Sequence, residues 1–276
     1  MQYSVLISVY KKERAEYLDI CLESLMNQTV ISNEIVLVQD GELTMELYAV
    51  ISKYLEKYPT IFKVIKLEVN QGLGKALNIG LNTCSNQIVA RMDSDDICVS
   101  TRFEKQLEFL QANPEIDIVG TWIDEFENNS EQIISKRMLP CNHEMICKLA
   151  KKRNPLNHMT VMFRKESVTK SGGYLHFLWN EDYYLWVRMI QKGYRFANLP
   201  ESLVLVRAGS EMFERRGGLE YFVQELRLQR EFLKMGFVKK NEFSRNILIR
   251  GAFRFMPNSL RGIMYKKLLR KKRKNI

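Results

Sequence analysis

Asn70-Gln71-Gly72-Leu73-Gly74-Lys75-Ala76-Leu77-Asn78-Ile79-Gly80-Leu81 opens on a residue suited to capping a helix and then sets Ala76, Leu77, Gly80 and Leu81 on one helical face. Six residues later, Gln87-Ile88-Val89-Ala90-Arg91-Met92-Asp93-Ser94-Asp95-Asp96 is an apolar run cut off by acids, the pattern of a buried strand that ends at solvent. Working upstream, Tyr3 to Val9 is a short apolar run, followed by Tyr17, Leu18, Cys21, Leu22, Leu25 and Met26 at helical spacing. Glu34 to Gln39 is a second strand, Leu43 to Leu55 a second helix, and Phe62 to Val69 a third strand. Strand and helix alternate throughout, which predicts an α/β fold with a mostly parallel central sheet flanked by helices.

Downstream of Asn113-Pro114 the pattern loosens. Ile116 to Phe126, Met159 to Arg164 and Ser202 to Arg207 read as strands. An aromatic-rich stretch from Tyr174 passes into a helix that ends at Gly193, and Leu219 to Met235 has the period of a long amphipathic helix. The expected organisation is a Rossmann-like half over 1–98, a second half of the same domain over 99–215, and a helical basic tail over 216–276.

Composition narrows the class. The chain has 276 residues, 46% hydrophobic content and 6 Pro, enough to bury a sizeable core and too apolar to be disordered. No apolar stretch reaches a membrane-spanning length, and the first nine residues carry no basic leader, so a cytosolic-side protein is expected. Cys21, Cys84, Cys98, Cys141 and Cys147 are odd in number without close pairing, which points to small hydrophobes or free thiols rather than a disulfide framework. The net charge of +10 is concentrated at one end: from Lys239 onward there are 13 bases and one acid, leaving 29 bases and 31 acids in the body. A nucleic-acid-binding protein with a basic tail is one reading, but it leaves the acids at the strand ends without a role. A dinucleotide-dependent oxidoreductase lacks its glycine fingerprint, because Tyr10-Lys11-Lys12-Glu13 stands after the first strand.

In open α/β sheets, ligands bind beyond the carboxyl ends of the strands. Here those ends lead into Tyr10 and Glu13, Asp40, Asn70 to Gly72, and Asp93 to Asp96. Three carboxylates within four residues repel unless a cation neutralises them, and hard oxygen ligands suit Mg²⁺ or Mn²⁺; the bland alternative is a solvated helix start. The Gly72 to Gly80 segment with Lys75 fits either diphosphate contact or plain helix capping, and Asp40-Gly41 also fits a turn.

Several ordered pieces together carry a resemblance: Val5-Leu6-Ile7-Ser8-Val9-Tyr10, Val36-Leu37-Val38-Gln39-Asp40-Gly41, the Asn70 to Gly80 segment, Arg91 to Asp96, and Glu181-Asp182 followed by Trp186. Over roughly Met1 to Arg207 the sequence resembles the inverting nucleotide-sugar glycosyltransferases of family 2, which have the GT-A fold. The resemblance implies that Asp40 hydrogen-bonds a uracil, with Glu13 at the same pocket, and that Asp93 contributes to binding a UDP-sugar; Tyr10, Gly72, Lys75 and Arg207 are further candidates for that site from their places at the strand ends. It further implies a metal-binding DXD motif, in which either Asp93 with Asp95 or Asp95 with Asp96 fits the spacing. Asp182 matches the base that takes the acceptor's proton, with Glu181 beside it.

His158 and Trp186 are candidate acceptor contacts, against the alternatives of a structural histidine and a core aromatic. Arg207 lies either on the diphosphate or at the surface, and Arg91 is placed to pair with the acids. Together with Ala90-Arg91-Met92-Asp93 and Arg102-Phe103-Glu104-Lys105-Gln106, the pattern is similar to bacterial β-1,3-glucosyl- or galactosyltransferases of O-antigen and capsule synthesis. These use undecaprenyl-diphosphate-linked acceptors. In the tail, Leu260, Ile263, Met264 and Leu268 form one apolar stripe with lysines and arginines around it, so docking on an anionic membrane surface at the cytoplasmic face is expected.

Overall fold

A computed structural model of the chain describes residues 1–208 and 218–256. Its first half is β1 (Tyr3–Val9), α1 (Ala15–Met26), β2 (Glu34–Gln39), α2 (Met45–Lys57), β3 (Phe62–Lys66), α3 (Leu73–Thr83) and β4 (Ile88–Asp93). The four strands are all parallel, in the order β3-β2-β1-β4. Each strand alternates its side chains between two cores. Val5, Ile7, Ile35, Leu37, Ala90 and Met92 face the layer built by α1 and α2, whereas Leu6, Val36, Val38 and Val89 face α3. A sheet covered on both faces accounts for the nearly unbroken apolar runs. On the α3 side the helix sits so close that a Cβ on Gly80 would come within 2.4 Å of Leu6 Cδ1 and 2.7 Å of Val38 Cγ2.

The second half continues the same sheet. It comprises β5 (Ile97–Cys98), α4 (Arg102–Ala112), β6 (Ile118–Phe126), β7 (Ile133–Arg137), α5 (His143–Ala150), β8 (Met162–Arg164), α6 (Lys165–Lys170), α7 (Glu181–Gln191) and β9 (Phe196–Arg207). Beyond β4 the order is β8-β6-β9-β5, with β7 hydrogen-bonded to β6. Here β6 and β9 are parallel, while β8, β5 and β7 run antiparallel to their neighbours. The last strand is longer than the apolar run from Ser202 suggests, because the residues from Phe196 pair with β6. The third strand ends at Lys66 rather than at Val69.

Two helices close the described part, α8 (Gly218–Lys234) and α9 (Lys240–Phe255). Phe232, Leu228, Phe237 and Val238 pack on Tyr183 and Val187, so α7 lies between the sheet and this helical pair. The front of the basic tail is therefore a docked helix. Arg250 and Arg254 both pair with Glu225, which is 2% exposed, and Asn246 donates to the Lys151 carbonyl at 2.7 Å. The stripe Leu260, Ile263, Met264 and Leu268 lies outside the described residues. All five cysteines are free, with Cys21, Cys84 and Cys98 buried. Among the described residues, no helix is long and apolar enough to cross a membrane.

Candidate active site

Register brings the strand ends to one edge. Val9 lies opposite Gln39, and Ser8 opposite Asp93, so the residues following β1, β2 and β4 emerge side by side. Short β5 then pairs with β9, Ile97 opposite Leu205, and this returns Arg207 to the turn that holds the acids.

Among the described residues, Asp93, Asp95 and Asp96 form a group whose oxygens lie within 4.8 Å of one another. Burial first, then the charges of Asp93 and Glu13, push the Asp95 carboxyl up to about 7. Asp96 is also raised, by burial and by its two acidic neighbours. One Asp96 oxygen accepts from the Arg207 backbone N–H at 3.1 Å, while the other is buried with no hydrogen-bond partner. Clustered, like-charged and under-partnered oxygens of this kind fit a hard divalent cation.

The flanking residues hold this turn in place. Glu13 accepts from the Ser94 hydroxyl at 2.6 Å, tying the loop after β1 to the acids. Arg207 donates from Nε to the Asp95 carbonyl at 2.9 Å, and its guanidinium lies 3.9 Å from the centre of the Tyr17 ring and 4.8 Å from that of Phe126. It is thus neither a free surface residue nor a loose arm. Arg91, 2% exposed, makes an ion pair with Asp93, the pairing expected from the sequence.

Asp40 is 4% exposed, and its two carboxylate oxygens accept from the backbone N–H groups of Gln71 at 2.7 Å and Gly72 at 3.0 Å. Its side chain therefore shapes the entry to α3. Gly72 caps that helix at φ 85°, a conformation that glycine takes without strain, and Lys75 is exposed in the first turn. Tyr10 is 38% exposed beside Asp40 at the strand edge.

The opposite wall is the start of α7. A Cβ on Gly74 would lie 3.2 Å from the Glu181 Cβ, so the absence of a side chain lets α7 close on α3. Burial, then Asp182, pushes the Glu181 carboxyl up to about 7. Asp182 is raised by burial, against the hydrogen bonds it accepts from Asn154 Nδ2 at 2.5 Å and from the Tyr183 N–H at 2.6 Å. The charge of Arg91 lowers both.

His158 is held neutral by burial and by Arg91, with Nε2 3.1 Å from the Tyr174 hydroxyl and its ring against Tyr174 and Trp186. Trp186 is 0% exposed and Tyr183 2%. As a sugar platform Trp186 is therefore corrected: its ring fills the core between α7 and the sheet and leaves no face open to a ligand. Residues that the sequence reading passed over include Ser94, Asn154, Tyr174 and Asn78, whose side chain accepts from the Tyr174 N–H at 3.1 Å. Their partners are far away in the chain, so no local pattern marks them.

Across 96% of this chain and 98% of the relative, the sequence is 42% identical to the amylovoran biosynthesis glycosyltransferase AmsE of Erwinia amylovora. It is 37% identical to the UDP-Gal:alpha-D-GlcNAc-diphosphoundecaprenol beta-1,3-galactosyltransferase of Escherichia coli, over 98% of this chain and 97% of that one. The fold is that of the GT-A enzyme TarS of S. aureus, whose residues 1–349 in complex with UDP-GlcNAc superpose with a TM-score of 0.67 at 18% identity, covering 98% of this chain and 76% of that one. Residues 4–171 match Glycosyl transferase family 2, and the chain belongs to that family.

Proposed function

We propose that the protein is an inverting, metal-dependent hexosyltransferase that moves glucose or galactose from a UDP-sugar to a sugar on a lipid diphosphate during bacterial surface polysaccharide synthesis. The observation that carries this reading is that two acidic groups share one buried cation: Arg91 pairs with Asp93, beside Asp95 and Asp96 at the end of β4, and its charge also reaches Glu181 and Asp182 at the start of α7. The relative with a UDP-Gal donor and a diphosphoundecaprenol acceptor supports the choice of substrates.

In this reading Tyr10, Glu13, Asp40, Gly72 and Lys75 line the nucleotide side. The acids of the β4 turn would hold Mn²⁺ or Mg²⁺, which supplies charge neutralisation to the departing UDP. Arg207 steadies that turn through Asp95 and Asp96. Asp182, oriented by Asn154, takes the proton of the acceptor hydroxyl as its oxygen bonds to the anomeric carbon and the bond to UDP breaks. Glu181 orients the acceptor. His158, neutral and fixed by Tyr174, acts behind the acceptor sugar. The basic terminus brings the enzyme to the anionic inner face of the membrane, where the acceptor lipid resides. The test is UDP release across a panel of UDP-sugars with a GlcNAc-diphosphate-lipid analogue: turnover with UDP-Gal or UDP-Glc alone among hexose donors is expected, and no turnover with either overturns the reading.

A further inference from the structure

A groove of about 640 Å³ opens between residues 175–178, which lead into α7, and the outer face of α8. One side is apolar. Leu175 and Leu178 are 43% and 39% exposed, and the rings of Phe177 and Tyr184 lie 5.1 Å apart. The other side is mainly cationic: Arg227 and Arg230 lie three residues apart on one face of α8, both exposed, and neither forms an ion pair with an acid among the described residues; the same wall also carries Glu231. Lys234, one turn on, is by contrast paired with Glu231 at 2.8 Å.

The groove begins beside the reaction centre. The Leu175 carbonyl and the Glu181 side chain close on the same point of α3, 3.5 and 3.2 Å from a Cβ on Gly74. Tyr184 is three residues, about 4.5 Å, along α7 from Glu181. The loop between them is pinned to α8, because Trp179, at φ 63°, stacks on Tyr221 with ring centres 5.0 Å apart.

A concave surface with exposed leucines on one wall and arginines lacking acidic partners on the other fits a ligand that is anionic at one end and apolar at the other. A soluble anion would leave the leucines exposed, and a neutral lipid would leave the arginines without counter-charge. We infer that this groove receives the diphosphate and the first isoprene units of the lipid-linked acceptor. Arg227 and Arg230 donate to diphosphate oxygens, and Leu175, Phe177 and Leu178 cover the chain. The inference rests on the proposed acceptor class and adds where its non-sugar part lies.

Farnesyl diphosphate, which has no sugar, is the probe. The full chain is expected to bind it more tightly than inorganic diphosphate. The double variant Arg227→Ala/Arg230→Ala should bind it roughly tenfold to a hundredfold more weakly. Leu175→Ser/Leu178→Ser should erase the preference over inorganic diphosphate. In transfer, kcat/KM of the arginine variant should fall further for a GlcNAc-diphosphate-lipid than for an aryl GlcNAc without diphosphate. Unchanged farnesyl diphosphate binding in the arginine variant overturns the inference, as does displacement of the probe by plain phosphatidylglycerol vesicles, which would make this a membrane-facing patch. If the probe binds through these residues but no hexose reaches a GlcNAc-diphosphate-lipid, the groove stands and the acceptor reading fails. If transfer proceeds without dependence on the arginines, the reverse holds.

Discussion

Arg91 and Asp93 form an ion pair in which the guanidinium is almost wholly buried and leaves Nε and one terminal nitrogen without hydrogen-bond partners. A cation so placed acts on both acidic groups of the cleft, since its charge lowers Asp95, Asp96, Glu181 and Asp182 alike.

Arg91→Met is expected to reduce stability by about 2 kcal/mol in urea unfolding, less than for a fully buried pair because the Asp93 side chain is 30% exposed. It should also move the acidic limb of the pH–rate profile to higher pH, because the carboxyls lose a charge that favours ionisation. An unmoved limb would show that Arg91 serves only packing.

Transfer should rise as pH climbs above the ordinary carboxylate range. The reacting carboxylate must be ionised, burial raises Asp182, and burial with Asp182 pushes Glu181 up to about 7. The sign for stability is opposite. With an unfolded value near about 4.3, the folded chain keeps the Glu181 proton longer, so this group's contribution to stability falls as pH rises from about 4.5 to 7. A pH–rate profile and urea melts at matched pH values check both slopes.

Asp182→Asn is expected to lower kcat by about 10² to 10⁴ and leave UDP affinity near the wild-type value. Glu181→Gln should cost less. Equal turnover by the Asn variant and the wild type would transfer the role of base to Glu181.

Excess chelator should abolish transfer, with Mn²⁺ or Mg²⁺ restoring it. The same ions should raise the melting temperature of the wild type but not of Asp95→Asn/Asp96→Asn. Full activity in chelator would leave the leaving group to basic side chains alone.

Glu225 anchors the front of the tail. Against the upward push of burial, hydrogen bonds and charges from Arg254 and Arg250 hold its carboxyl below the usual range. Glu225→Gln should therefore cost about 2–3 kcal/mol at neutral pH. The wild-type contribution is lost as the carboxylate protonates on acidification below about pH 4. Deleting residues 260–276 tests the terminus beyond it. That deletion should release the protein from anionic vesicles; equal vesicle binding by both forms would falsify the membrane role of the terminus.

The strands of the first half were legible because both faces of β1, β2 and β4 are covered, and such strands read as unbroken apolar runs ended by polar residues. The acids at 93, 95 and 96 and the pair at 181 and 182 were legible as types and spacings. Helix α4 was not, because Arg102 and Gln106 point into the core. Arg102 donates to the Arg91 carbonyl at 2.7 Å, and Gln106 to the carbonyls of Val119 and Thr160 at 3.0 and 2.9 Å, so the usual link between polarity and exposure is reversed. Composition marked the chain beyond Lys239 as cationic, yet only the packing of α9 on α8 assigns Arg250 and Arg254 to Glu225. Likewise, sequence supplied Trp186 as an aromatic near the pair of acids, and the fold alone put it in the core. Periodicity and strand-end chemistry are local and survive in one dimension. Which groups the acids meet, and which ring faces solvent, depends on contacts such as those of Arg207 with the Asp95 carbonyl and the Asp96 carboxylate, made only when β9 returns along β5.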